Sequence, residues 1–228
     1  MSEQERKLLA IDLDGTLVDS APDIAHCLGR ALEAIGYAAP GEARTRVWIG
    51  DGLEQLLSRA IAHAGGEREP TASSETRHKT ALAAFLACYR DNLFVRSRLY
   101  PGVQTTLDAL RARGLKICCI TNKRYAFSHE LLVAAGIRDY FDSLLGGDSL
   151  AEKKPSPLQL KFAAETVGIA PSAAVLVGDS HQDLRAARAA GYGFVLASYG
   201  YGKIDETELG SSPRIRSFAD LLATPGLK

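Results

Sequence analysis

Four short apolar runs constrain this chain more than any other feature: Leu8 to Ile11, Ile117 to Ile120, Ala174 to Val177 and Phe194 to Ala197. Their apolar residues are consecutive rather than alternate, which suits strands buried on both faces. Helical patterns separate them, and Val103 to Arg113, Ala126 to Ala135, Pro157 to Val167 and Asp183 to Ala190 each stop at a glycine (Gly114, Gly136, Gly168, Gly191). Glycine takes the left-handed conformation that ends a helix without a Cβ penalty. The alternation predicts an α/β fold, a Rossmann-like parallel sheet core with helices on both faces.

One stretch breaks the alternation. From Pro22 to about Asn92 the apolar residues follow helical spacing, with Ile24, Leu28, Leu32 and Ile35 on one stripe and Leu53, Leu56, Leu57, Ala60 and Ile61 on another. No strand pattern appears there. The chain is therefore expected to divide into a discontinuous α/β core, residues 1–18 and 97–228, and an inserted all-helical cap domain, residues 19–96. Ser20 followed by Pro22 and Asp23 reads as a capping box opening the first helix of that insert.

Charge excludes some classes of partner. The 228 residues carry 27 Lys and Arg against 27 Asp and Glu, so nothing in the balance draws the chain to nucleic acid or a membrane surface. The apolar runs fall far short of a membrane span, and the polar start from Met1 to Lys7 lacks a secretory h-region, which points to the cytoplasm. Cys27, Cys88, Cys118 and Cys119 have no metal-binding or redox spacing and are read as small buried hydrophobes. Nothing in the sequence fixes an oligomeric state.

Polar residues that follow buried parallel strands lie where such sheets bind ligands. The first run leads into Asp12-Leu13-Asp14-Gly15-Thr16, the second into Thr121-Asn122-Lys123, and the third into Gly178-Asp179-Ser180 with Asp183 one turn on; Lys154 lies in the loop between the last two. Any one of these could be a turn or a helix cap. Their convergence on one sheet edge favours a site.

Taken together, these motifs resemble the haloacid dehalogenase superfamily of aspartate-nucleophile phosphatases, in order and spacing along the whole chain. Asp12 to Ser20, Trp48-Ile49-Gly50-Asp51-Gly52, Leu99 to Val103, Thr121-Asn122-Lys123 and Val177 to Ser180 are similar to the bacterial phosphoglycolate phosphatase family within it. That family usually carries a proline after the lysine, where this chain has Arg124.

The resemblance implies a Mg²⁺-dependent phosphatase acting on a small phosphorylated metabolite, most closely 2-phosphoglycolate. Asp12 is the expected nucleophile and Asp14 the general acid and base. Mg²⁺ would be held by Asp12, Asp179 and the main-chain carbonyl of Asp14, with Asp183 orienting its surroundings. Thr121, Asn122 and Lys154 would bind phosphoryl oxygens, and Gly50 and Gly52 would let cap amides approach the substrate. Asp14 argues against dehalogenation, since halide needs no proton to leave. A sugar phosphomutase, a phosphatase for another ester or pyrophosphate, and a receiver-like signalling module are the alternatives, the last disfavoured by motif order and length.

Overall fold

A computed structural model describes residues 6–65, 72–224 and 226–227. Its residues fall into two compact units, Met1–Asp19 with Arg98–Lys228, and Ser20–Ser97. The start expected to be polar, Met1 to Glu5, lies outside the described residues.

The first unit is built on a six-stranded sheet with every pairing parallel: β1 (Leu8–Ile11), β4 (Lys116–Ile120), β5 (Ser143–Leu145), β6 (Ala174–Gly178), β7 (Gly193–Ala197) and β8 (Arg214–Ile215). Their spatial order is β5-β4-β1-β6-β7-β8. The chain thus travels to one side of β1 through β4 and β5 and returns to the other through β6 to β8. The order reverses around β1, and the crevice beyond its carboxyl end is the place where such sheets bind ligands.

Burial follows the pleat. Leu8, Ala10, Cys118, Ile120, Leu176, Phe194 and Leu196 pack into one core cluster with Leu160 and Leu184. The intervening Leu9, Ile11, Ile117, Cys119, Val175 and Val177 are also buried. Both faces are covered, as consecutive apolar runs require, and the adjacent Cys118 and Cys119 are free thiols pointing to opposite faces.

Among the described residues, α5 (Val103–Ala112), α6 (Tyr125–Ala134), α7 (Leu158–Val167), α8 (His181–Ala190) and the short α9 (Glu206–Leu209) accompany the sheet. Gly114, Gly136, Gly168 and Gly191, which follow the first four, all have positive φ. A two-stranded antiparallel ribbon, β2 (Val18–Asp19) with β3 (Arg98–Leu99), marks where the chain leaves and re-enters this unit.

The Ser20–Ser97 unit is helical: α1 (Ala21–Glu33), α2 (Glu42–Trp48), α3 (Leu53–Gly65) and α4 (Ala72–Asp91). Ile24, Leu28, Leu32, Leu57, Ala60, Ala81, Phe85 and Tyr89 form its buried interior, with Phe85 and Tyr89 stacked at 5.2 Å. Among the described residues no helix is long and apolar enough to cross a membrane.

Two expectations about this unit are corrected. Ser20 makes no side-chain capping bond, and the fully buried Asp23 carboxylate, the other half of the expected box, is taken by the returning chain. It accepts from the amides of Val95 (3.0 Å), Arg96 (3.0 Å) and Ser97 (2.8 Å) and from Ser97 Oγ (2.6 Å). Cys27 and Cys88 are not separate hydrophobes but a disulfide joining α1 to α4. Sixty-one residues of sequence separate them, so only the packing of the two helices brings them together.

Candidate active site

β1 ends one residue before Asp12, and β1 is hydrogen-bonded on both sides, to β4 and β6. The residues following all three strands therefore converge. Asp12 N–H donates to Val177 O (2.9 Å) and Thr121 N–H to Leu145 O (3.0 Å), so backbone ladders carry the register into the site. Asp12, Thr121, Asn122, Lys154, Asp179 and Asp183 are all buried.

Lys154 is the centre of the arrangement. Its ammonium donates to Asp12 Oδ1 (2.8 Å), Asp183 Oδ1 (2.6 Å) and the Ile120 carbonyl (2.7 Å). An ammonium has three N–H donors, and these three acceptors engage them all. Asn122 holds the Lys154 loop in place, its Nδ2 donating to the Lys154 carbonyl at 2.9 Å. Expected among substrate ligands, the Asn122 side chain thus has a structural bond within the site.

Asp183 reaches Lys154 from the first turn of α8, where it forms a capping box with Ser180. Its Oδ2 accepts from Ser180 N–H (3.0 Å), leaving Oδ1 for the ammonium. The capping box anticipated at the start of α1 is absent there, and one at α8 fixes the side chain that meets Lys154.

Asp179 is held by the segment from Tyr199 to Gly202. Its Oδ2 accepts from the amides of Tyr201 (2.6 Å) and Gly202 (3.0 Å). A Cβ on Gly200 or Gly202 would drive into the side chain or main chain of Asp179, and one on Gly15 would meet its carboxylate. Glycine at these positions permits the close approach. Tyr201 Oη donates to Asp19 Oδ1 (2.7 Å) and Tyr199 Oη to Thr16 O (2.8 Å), fastening the same segment to the loop after β1. The alternation Tyr199-Gly200-Tyr201-Gly202 was the available signal.

The carboxylates of Asp12, Asp179 and Asp183 offer oxygen atoms within 4.8 Å of one another. Burial, opposed by Lys154 and reinforced by Asp183 and Asp179, pushes the Asp12 carboxyl well above the usual carboxylate range. Burial and the charge of Asp183 raise Asp179 to about 7 against the pull of the Gly202 and Tyr201 amides. Burial alone would discharge Lys154, but Asp12 and Asp183 outweigh it and hold the ammonium above the ordinary lysine range.

Three acids around one fixed cation leave negative charge in a buried place. An all-oxygen donor set with uncompensated charge fits a small hard dication such as Mg²⁺. Asp14 stands apart from this trio. Its carboxylate is gripped by Lys123 Nζ at 2.9 and 3.1 Å. Thr121 Oγ1 accepts from Lys123 N–H at 3.2 Å.

Gly50 and Gly52 belong to the other compact unit, between α2 and α3, and both have positive φ. Arg59 ties this turn, donating to the Trp48 carbonyl (3.0 Å) and pairing with Asp51. Arg46 pairs with Glu42 along α2 at 2.7 Å. His181 turns toward Glu208 (2.7 Å).

A family model of haloacid dehalogenase-like hydrolases matches residues 6–191. The chain belongs to the haloacid dehalogenase-like hydrolases. Within that family it is 44% identical over 198 residues to a phosphoglycolate phosphatase of Nitrosococcus oceani, covering 87% of this chain and 86% of the relative. A phosphoglycolate phosphatase of Nitrosospira multiformis is 41% identical over 197 residues, with 86% and 85% covered. The crystal structure of a predicted phosphoglycolate phosphatase from Haemophilus somnus superposes with a TM-score of 0.89 at 36% identity, covering 96% of this chain and 97% of that one. The α/β fold with its parallel sheet is thus shared along nearly the whole length.

Proposed function

We propose that this hydrolase is a Mg²⁺-dependent phosphatase that converts 2-phosphoglycolate to glycolate and phosphate through an aspartyl-phosphate on Asp12. The observation that carries the reading is the buried trio of Asp12, Asp179 and Asp183 around Lys154, at the carboxyl edge of the three central strands. The names of the relatives supply the ester.

Asp12 and Asp179, with the main-chain carbonyl of Asp14, would hold Mg²⁺, which when bound offsets the charge of the carboxylates and of the phosphate. Asp12, kept ionised, attacks phosphorus and displaces the alkoxide. Asp14 protonates that leaving oxygen and later takes a proton from the water that hydrolyses the acyl-phosphate. Thr121 Oγ1 and main-chain amides beside it donate to the phosphoryl oxygens. Lys154, whose three donors have acceptors already, meets a phosphoryl oxygen by exchanging one of them, and Asp183 keeps its ammonium in place throughout.

Phosphate release from a panel of phosphorylated metabolites, each with Mg²⁺ and with excess chelator, tests the reading. The expected result is highest turnover with 2-phosphoglycolate and none in chelator. A flat profile over the panel, or chelator-resistant turnover, would overturn it.

A further inference from the structure

Lys123 is a second ammonium at the site, and the chemistry above gives it no task. Its side chain and that of Asp14 are only 8% and 12% exposed, and the two make a bidentate pair. The main chain that carries Lys123 is fastened on both sides. Its N–H donates to Thr121 Oγ1, and its carbonyl accepts from Gly147 N–H at 2.7 Å. A Cβ at Gly146 would press on Tyr125 N and the Lys123 carbonyl, so the β5 edge closes tightly over this turn. The ammonium is presented from a fixed position, and its place is set by the carboxylate that handles the leaving oxygen.

Whatever is bonded to the leaving oxygen must therefore lie beside Lys123. Asp12, Asp179 and Asp183 together repel an anionic leaving group, and a leaving group with its own charge needs a local cation to be accepted. Lys154 is surrounded by its own acceptors and faces the nucleophile. Lys123 sits on the acid instead, and an ammonium can share its donors between two carboxylates.

We propose that Lys123 is a specificity-determining residue whose ammonium, held at Asp14, selects phosphate esters with a carboxylate on the carbon next to the ester oxygen. The proposal rests on the phosphatase reading above and adds the group that recognises the leaving alcohol. A carboxylate in that position reaches the same ammonium while the ester oxygen remains at Asp14. A neutral alcohol gains nothing from Lys123 and leaves the Lys123–Asp14 pair closed.

The experiment compares kcat/KM for 2-phosphoglycolate and for 2-hydroxyethyl phosphate, its neutral counterpart, in the wild type, Lys123→Gln and Lys123→Arg. The wild type is expected to prefer the carboxylate ester. Lys123→Gln should cut that preference about ten- to a hundredfold, the worth of a hydrogen bond between charged groups, and Lys123→Arg should keep most of it. An equal loss for both esters would mean that Lys123 acts on Asp14 alone and would overturn the proposal, as would an unchanged preference. A wild type that hydrolyses the neutral ester but not 2-phosphoglycolate would instead sink the function reading beneath it. Independently of any variant, glycolate should inhibit the wild type competitively and ethylene glycol should not. Equal inhibition by the two would overturn the proposal even if Lys123→Gln failed to fold.

Discussion

The two units bury acids in opposite ways. In the helical unit, Asp23 is fully buried and accepts from three consecutive amides and a hydroxyl, so its negative charge is answered by donors that never leave. In the sheet unit, Asp12, Asp179 and Asp183 crowd within 4.8 Å, and Lys154 cannot neutralise them all. Asp23 closes a structure. The trio leaves negative charge that a cation would answer. What separates a structural acid from a chemical one is therefore not depth of burial, which they share, but whether the charges gathered there are balanced.

Substitutions can break this contrast. The largest effect is expected for Asp12→Asn: turnover should fall about 10⁴-fold or more, because an amide is a poor nucleophile. Metal-free stability should hold, since the amide oxygen can still accept from Lys154 and Asp183 remains paired. Turnover assay and thermal unfolding, with reversion to Asp excluded by mass, check both halves; normal turnover would remove Asp12 from its role. Asp23→Ala should do the reverse. Leaving the Val95, Arg96 and Ser97 donors without their acceptor should cost about 3 kcal/mol, measured by denaturant unfolding, while activity per folded molecule changes far less than in Asp12→Asn. Unchanged stability would mean that these bonds do not hold the unit.

The smallest effect sharpens the contrast inside the sheet unit itself. Asp142 resembles Asp23, because its carboxylate accepts from Ile117 N–H (2.9 Å), Arg111 (2.9 Å) and Lys116 (3.3 Å). Burial works upward, but the Ile117 amide and the two cations outweigh it and hold Asp142 below the usual carboxylate range. A lowered folded pKa gives stability that is present above the ordinary value of 3.8 and is lost as pH falls through the lowered one. Asp142→Asn should therefore lower stability at neutral pH by less than about 1 kcal/mol, since the cations are half-exposed. The difference from wild type should vanish in strong acid. A difference that persists there would assign the effect to packing.

The sheet was legible because its central strands are buried on both faces and therefore read as consecutive apolar residues. Leu8 to Ile11 was placed to the residue. The edge strands Ser143–Leu145 and Arg214–Ile215 were not, being too short to show any pattern. Asp12, Lys154, Asp179 and Asp183 were legible as residues following strands and through a resemblance in motif order. Their neighbours were less so. Tyr201 and Gly202 meet Asp179 from more than twenty positions away through backbone amides, which leave no mark on residue type. Lys123 was part of a recognised motif, yet its hold on Asp14 spans 109 positions and depends on the loops after β1 and β4 lying side by side. Cys27 and Cys88 failed for the same reason, since their meeting depends on how two helices pack.

The ribbon of Val18–Asp19 against Arg98–Leu99 has a consequence for how such a chain can change. Asp19 is the register partner of Arg98, so the polypeptide leaves the sheet unit and returns to it through one doorway. Asp23, gripping Val95 to Ser97, draws the two ends of the insert together from its own side. To the sheet, everything between is a single hairpin loop. Loop closure grows only with the logarithm of length, about 0.6 kcal/mol for each doubling. An insert entered this way can be lengthened, shortened or exchanged for another fold while the strands, their register and the carboxylates at their ends stay where they are.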